Sequence, residues 1–288
     1  VSLKTGKQIK QNLDQNKYQV SVYDTQTQLK ELFDDCLDGK IDLCFLALHG
    51  KGGEDGTIQG MLDLLNVPYT NSGVMSSSLC MDKIMSKRFL KSYNILMAKD
   101  LIFKEGEWNG KLVEKEIGFP CVAKPNISGS SVGITIIKET DQLEKAINKA
   151  FKYDNQVIIE EYIKGIEITV PILDNQPLPV IEICPKNEFF DYESKYVDNN
   201  CDEIVPARIT AEQTKIVQKT ALIIHQVLGC QGMTRVDFIL KNNQPYFLEI
   251  NTIPGMTETS LCPQSAKAAG IKFPSLLDQI IKLALNGK

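Results

Sequence analysis

The segment GMTRVDFILKNNQPYFLEINTIPG, residues 232–255, constrains the fold more than any other. Val236, Phe238 and Leu240 alternate with Arg235, Asp237 and Ile239; on the return, Tyr246, Leu248 and Ile250 alternate with Phe247, Glu249 and Asn251. Period two on both sides of an Asn-rich break reads as an antiparallel hairpin, because side chains change face at every residue of a strand. A slip of one residue would exchange the two faces. A three-residue loop, 242–244, keeps both apolar sets on one side and sets Asp237 opposite Glu249 and Arg235 opposite Asn251. Carboxylates directly across a ladder have Cβ atoms about 5 Å apart and repel each other. A shared proton, a neighbouring arginine or a divalent cation would each neutralise them, and a fully wet face would simply solvate them. With Asn251 the face carries an all-oxygen donor set, which suits Mg²⁺ or Mn²⁺ rather than zinc.

Upstream, strands and helices alternate. Residues 18–23 read as a strand and 27–37 as a helix. The continuous apolar run LCFLAL, 43–48, ends at His49 and reads as a strand covered on both faces. A glycine-rich turn follows, then a helix with Ile58, Met61, Leu62 and Leu65 on one face, giving an open α/β layer to about residue 70. Ser76 to Ser78 offer N-cap hydroxyls to a helix reaching Ser92. Strands are expected at 120–124, 132–138 and 157–161, with a helix at 140–153 and a joint at Lys164 and Gly165. The last third carries strands at 166–173 and 178–184, a polar stretch at 187–206, and a helix at 211–228 opened by a Thr210/Gln213 capping box. The hairpin and a C-terminal helix complete it.

Composition narrows the class. The 288 residues suggest about two domains at roughly 150 residues each. Hydrophobic residues make up 43% and charged residues 24%, which excludes disordered, collagenous and coiled-coil chains. A net charge of −4 argues against a nucleic-acid partner, and no apolar run is long enough to span a membrane. Eight cysteines without a CxxC, beside only His49 and His225, argue against zinc and for reduced thiols in the cytoplasm.

Several further residues carry chemistry. Lys124 precedes a Gly/Ser loop through Gly129, Ser130, Ser131 and Gly133, which could cradle phosphate or be a plain turn; it joins strand to strand, so no helix dipole assists. Lys83, Lys87 and Lys91 form a helical stripe of the kind that is ordinarily solvated. Glu160, Glu161 and Glu167 flank the joint, where they could accept bonds from a nucleotide's amino group or ribose hydroxyls or stand as strand-end charges. His49 lies at the carboxyl end of a buried strand, where open α/β sheets place ligands, whereas His225 reads as structural.

Together the segments HGKGGEDGTIQG (49–60), MDKIMSKR (81–88), KPNISGSSVG (124–133), IIEEYIKGIEITV (158–170), DYESKY (191–196), RVDFIL (235–240) and LEINTIPGMTETSL (248–261) resemble, in order, the D-alanine–D-alanine ligase family of the ATP-grasp superfamily. The resemblance implies an α/β and α+β, three-domain architecture: a substrate-binding domain at 1–72, a central ATP-grasp domain at 73–164 and a C-terminal domain at 165–288. It implies ATP-dependent joining of two D-alanines through a D-alanyl phosphate, for peptidoglycan precursors of the cell wall. On this resemblance Lys83 and Lys124 contact the ATP phosphates under a loop of Gly129, Ser130 and Ser131. Glu160 and the backbone of Glu161 and Ile163 hold adenine, and Glu167 the ribose. Asp237, Glu249 and Asn251 match ligands of two Mg²⁺ ions, with Mn²⁺ an acceptable substitute. Arg235 and the Gly255 N–H match the oxyanion-stabilising donors, and Lys195 assists phosphoryl transfer. Ser130 and Tyr196 fall near the first D-alanine, His49 beside the amino-acid pocket, Ser260 and Leu261 near the carboxylate of the second D-alanine, and 187–206 form a lid.

Departures from the family pattern also set expectations. The family carries a strand and a glutamate shortly before the VSL with which this sequence opens, so a truncated N-terminal domain lacking its first strand is expected. That glutamate orients the first D-alanine through Ser130 and Tyr196. Ile127 and Ser128 occupy loop positions often charged in relatives. DYESKY, with Tyr196 and no lid histidine, points to the dipeptide-forming branch. The competing readings are a ligase using D-serine or D-lactate as second substrate and a nucleotide-binding protein without catalysis. Oligomeric state is left open, a homodimer included.

Overall fold

The structure is a computed structural model that describes residues 2–127, 132–185 and 201–287. Its first part holds α1 (Ser2–Asn12), α2 (Leu29–Leu37) and α3 (Thr57–Leu64). Then come α4 (Val74–Met81), α5 (Lys83–Leu90), β1 (Asp100–Lys104), α6 (Gly110–Glu116), β2 (Cys121–Pro125), β3 (Thr135–Ile137), α7 (Leu143–Phe151) and β4 (Gln156–Glu161). The remainder runs β5 (Ile166–Leu173), β6 (Gln176–Pro177), β7 (Ile181–Pro185), β8 (Cys201–Ile204), α8 (Ala211–Val227), β9 (Met233–Lys241), β10 (Gln244–Asn251), α9 (Leu261–Ala268) and α10 (Phe273–Asn286). No helix among the described residues is long and apolar enough to cross a membrane.

Two antiparallel sheets organise the molecule. One is ordered β1-β4-β2-β3; the other runs β10-β9-β5-β7-β8, with β6 pairing on β5. Leu143, Ala146, Ile147 and Ala150 of α7 pack on Cys121, Ala123, Val157 and Ile159 of the four-stranded sheet. Val217, Ala221 and Ile224 of α8 cover Ile168, Val170, Val236 and Phe238 of the larger sheet, and Cys80, Leu90 and Ile95 join that core. Gly165, at the passage from β4 to β5, approaches the β9 backbone so closely that a Cβ there would lie 2.4 Å from the Leu240 carbonyl oxygen. Only glycine permits that passage.

The first 70 residues depart from the expected open sheet. Residues 18–23 form no strand, and 43–48 contribute one parallel bridge, Cys44 to Tyr69. The burial expected of the second run is nevertheless present. Leu43, Phe45 and Ala47 pack toward α10, while Cys44, Leu46 and Leu48 face the cluster around α2 and α3. The segment is extended and covered on both sides, but Leu46 N–H donates to the Thr70 hydroxyl where a ladder would offer a carbonyl. The helix expected from Ser76 to Ser92 is broken at Asp82, whose side chain caps α5 by accepting from Met85 N–H at 2.8 Å. Ser76 and Ser77 lie inside α4 and cap nothing; Ser76 Oγ donates to the Gly229 carbonyl at 2.6 Å. β1 and α6 were not anticipated.

The hairpin turns on two residues, Asn242 and Asn243, both at positive φ, rather than on three. Near the turn Phe247 pairs with Phe238, and both rings enter the core. A bulge at Leu248 then shifts the register by one, so that Glu249 lies opposite Asp237 and Asn251 opposite Arg235. One inserted residue thus reconciles the Phe247 frame with the Ile250 frame.

Candidate functional site

The strand pairing puts Asp237 and Glu249 on one face of the hairpin, and three cations address them. Arg235 closes a fork on Asp237, Nε to Oδ1 at 2.9 Å and Nη2 to Oδ2 at 2.8 Å. Thr169, directly across from Asp237 in β5, donates its hydroxyl to the same Oδ1. Lys83 Nζ lies 3.1 Å from Glu249 Oε2. Burial alone would raise the Glu249 pKa, but Lys83 and Arg235 hold it below the usual carboxylate range, with a smaller pull from Lys124. The repulsion expected between the two acids is therefore met by side chains of the chain itself.

Lys83 reaches this face because α5 begins there. Asn126, just beyond β2, accepts the Ile84 N–H on its Oδ1 at 2.9 Å, which ties the start of α5 to the end of the strand carrying Lys124. Asn126 is fully buried, and its Nδ2 has no partner among the described residues. Lys83, Lys87 and Lys124 are 5%, 6% and 5% exposed, so the lysine stripe is not a solvated helix face; only Lys91 remains exposed. Glu160, 5% exposed, receives Lys124 Nζ on Oε2 and Lys87 Nζ on Oε1, each at 2.7 Å. Lys87 was missed as a site residue, because spacing alone does not say which lysines of a stripe face buried acids on other elements.

The remaining candidates are placed as follows. Glu161 is exposed at the end of β4, and its N–H donates to the Lys99 carbonyl at 2.9 Å. Ile163 is buried in the passage to β5, where Glu167 pairs with Ile239 of β9 and Ile183 of β7. Asn251 Oδ1 accepts the Ile253 N–H at 2.9 Å. Gly255 packs against Ser260, whose Oγ a Cβ on the glycine would meet at 3.1 Å. Ser260 precedes Leu261, the first residue of α9, and its Oγ accepts the Thr257 N–H at 3.1 Å. His49 sits in the other direction along the chain fold, its Nδ1 3.7 Å from Glu54 and its Nε2 3.4 Å from Thr5 Oγ1. His225 is structural: it is buried, bonds Thr234 at 2.8 Å, and burial pushes its pKa down to about 4. Gly129, Ser130, Ser131, Lys195 and Tyr196 lie outside the described residues.

The donor set is suited to a hard cation. Asp237 and Glu249 face each other with Asn251 two residues on, all offering oxygen, and a carboxylate has more lone pairs than the Arg235 fork consumes. No cluster of three or more His, Cys, Asp or Glu that could hold a metal occurs among the described residues, so Asn251 is needed to complete the set.

Comparison with known proteins gives a consistent result. The family model described as D-ala D-ala ligase C-terminus matches residues 89–282, and that described as D-ala D-ala ligase N-terminus matches 23–72. A D-alanine--D-alanine ligase of Halalkalibacterium halodurans is 41% identical over 99% of this chain and 95% of its own length. One from Trichlorobacter lovleyi is 44% identical over 97% of this chain and 89% of its own. The crystal structure of the Bacillus anthracis D-alanine--D-alanine ligase complexed with ATP superposes with a TM-score of 0.86 at 38% identity, covering 99% of this chain and 92% of that one. The VanG D-Ala:D-Ser ligase of Enterococcus faecalis gives 0.83 at 32% identity, covering 98% and 94%.

Proposed function

The chain belongs to the D-alanine–D-alanine ligase family, and on that premise we propose that it joins two D-alanines at the expense of ATP, supplying D-alanyl-D-alanine for cell-wall precursors. The observation that carries the reading is the facing pair Asp237 and Glu249, set in register beside Arg235 and paired with Lys83, whose charge also acts on the buried Lys124 bonded to Glu160. It joins a metal-type oxygen face to a cluster of buried ammonium groups, the combination a polyphosphate requires.

In this reading the carboxylate of the first D-alanine attacks the γ-phosphorus, giving D-alanyl phosphate and ADP. The amine of the second then attacks the acyl carbon, and inorganic phosphate leaves. Lys83 and Lys124 balance phosphate charge, Glu160 and the backbone near Glu161 and Ile163 receive the base, and Glu167 the ribose. Arg235 and the Gly255 N–H face the oxyanion of the tetrahedral intermediate, where a donor of this kind contributes about 3 kcal/mol. Ser260 and Leu261, at the start of α9, receive the carboxylate of the second D-alanine, a position where unpaired helix N–H groups favour an anion. His49 borders the amino-acid pocket. Asp237, Glu249 and Asn251 would hold Mg²⁺, which when bound neutralises charge on the phosphates.

The same reading divides the chain at about residues 72 and 164, with the four-stranded sheet as the body of the central unit and the larger sheet as that of the last. Purified protein given ATP, Mg²⁺ and D-alanine should release phosphate and form the dipeptide. Offering D-serine or D-lactate against D-alanine at several pH values then decides the second substrate. Binding of ATP without D-alanine-dependent turnover would defeat the reading.

A further inference from the structure

Asp237 and Glu249 are not the only acids opposed across a ladder. In the four-stranded sheet Asp100 of β1 pairs directly with Glu160 of β4. The neutralising group here is Lys87, which enters from α5 and is buried. Its Nζ donates to Glu160 Oε1 at 2.7 Å, to Asp100 Oδ1 at 2.9 Å and to the Ala98 carbonyl at 3.2 Å. An ammonium has three protons, and all three are spent on protein oxygens. Lys87 is therefore not equipped to bind a ligand itself.

Lys124 differs. Among the described residues its contact in this network is the single bond to Glu160 Oε2, and it is the lysine that the resemblance assigns to the phosphates. A polyphosphate drawn to Lys124 would compete with Glu160 for it. Were Lys124 the sole counter-ion, its departure would leave Glu160 a buried, unpaired carboxylate, which is unfavourable enough to end in protonation. Burial and the charges of Lys87 and Lys83 lower the Lys124 pKa, whereas burial at Lys87 is outweighed by Glu160 and Asp100.

We propose that Lys87 is the positioning residue of the nucleotide site: anchored to Asp100 and Ala98, it keeps Glu160 ionised and oriented as acceptor for the amino group of the base when the phosphates draw Lys124 away. This rests on the nucleotide reading above and adds a residue and a division of labour to it. The lysine assigned to the phosphates is exchangeable, and the lysine behind the acid is fixed.

The test compares binding of ATP and of inosine triphosphate, whose base carries a keto oxygen in place of the amino group, by calorimetry on the full chain with Mg²⁺. A hydrogen bond to a charged acceptor makes about a ten- to hundredfold difference in affinity. Wild type should prefer ATP by that factor. Lys87→Met should lose most of the preference by weakening ATP alone, raising KM for ATP with kcat at saturating ATP little changed. In a Glu160→Gln background the same substitution should leave the ratio where Glu160→Gln has put it. If Lys87→Met fails to fold, Asp100→Asn, which loosens Lys87 from its far side, should lower the ratio in the same direction. An unchanged ATP-to-inosine-triphosphate ratio in the variant that folds overturns the proposal while leaving the nucleotide reading intact. Wild type that binds neither nucleotide overturns both.

Discussion

Arg235 grips Asp237 from two residues back along the same strand, through Nε to Oδ1 at 2.9 Å and Nη2 to Oδ2 at 2.8 Å. Residues i and i+2 of a strand share a face, so the fork is built into β9 whatever the hairpin pairs with. It changes what neutralising the acid should do. From the opposed acids alone, Asp237→Asn would relieve repulsion and stabilise the protein. With the fork in place, the substitution strips a charged partner from a guanidinium that is itself largely buried. We expect a loss of about 2 kcal/mol, seen as a lower Tm without ligands. Turnover with Mg²⁺, ATP and D-alanine should fall by about a hundredfold or more. A raised Tm in Asp237→Asn would mean that the acid pair is still repelling and that the fork contributes nothing.

Glu249 makes its ion pair with Lys83, which is buried, and the charge of Arg235 acts on it as well. Removing the charge takes a counter-charge from the buried Lys83, so Glu249→Gln should lower the ligand-free Tm by an amount similar to Asp237→Asn, about 2 kcal/mol. Glu249→Gln should also report on metal binding separately from folding. Mg²⁺ together with ATP should raise the wild-type Tm, because a ligand at a hundred times its Kd adds about 2.7 kcal/mol to the folded state. In Glu249→Gln the increment from adding Mg²⁺ to the ATP complex should largely disappear. A full increment in the variant would move the cation away from the hairpin.

What could be read from the sequence, and what could not, divides along the range of the interactions. β5 was expected at residues 166–173 and is found there, and the Thr210/Gln213 capping box opens α8 as expected, because both are specified by neighbouring residues. The facing of Asp237 and Glu249 was also legible, although through a bulge at Leu248 and not through a three-residue loop. Alternation fixes which residues share a face, but a ladder with two apolar frames can be satisfied in more than one way. The burial of Lys83 and Lys87 was not legible. A lysine stripe is the same string of letters whether it meets water or meets Glu160 and Asp100, which the chain supplies from other elements. Likewise the two-sided burial of 43–48 follows from its unbroken apolar run, while the absence of a ladder depends on what lies alongside.

His225 makes a pH prediction independent of catalysis. Burial lowers its pKa from 6.5 to about 4, with Asp174 opposing weakly. Between those values the unfolded chain binds a proton that the folded protein refuses. The contribution to stability is therefore complete above about pH 6.5 and is lost as the pH falls toward about 4. Its full size is about 3 kcal/mol. Carboxylates such as Glu182, which Arg208 holds down to about 2, lose their contribution at lower pH. Subtracting the unfolding free energy of His225→Gln from that of wild type between pH 4 and 7 should isolate the histidine. A difference that does not change with pH would show that the folded ring takes up its proton at the same pH as the unfolded one.

The turn of the hairpin offers a test of the register that leaves the acids untouched. Asn242 and Asn243 have φ of 50° and 64°, so the turn has both central residues in the left-handed region. Such a turn matches the twist of the two strands and favours Asn or Gly at each place. A side chain other than Asn, Asp or Gly costs about 1 to 2 kcal/mol there. Asn242→Ala should accordingly destabilise the protein by about 1 kcal/mol, and Asn242→Gly should be close to neutral. Neither should alter kcat, because the turn is at the far end of the hairpin from Asp237 and Glu249, beyond the pairing of Phe238 with Phe247. Equal losses for Ala and Gly would indicate a longer loop with ordinary backbone angles. The register at the acids would then have to be explained without the Leu248 bulge.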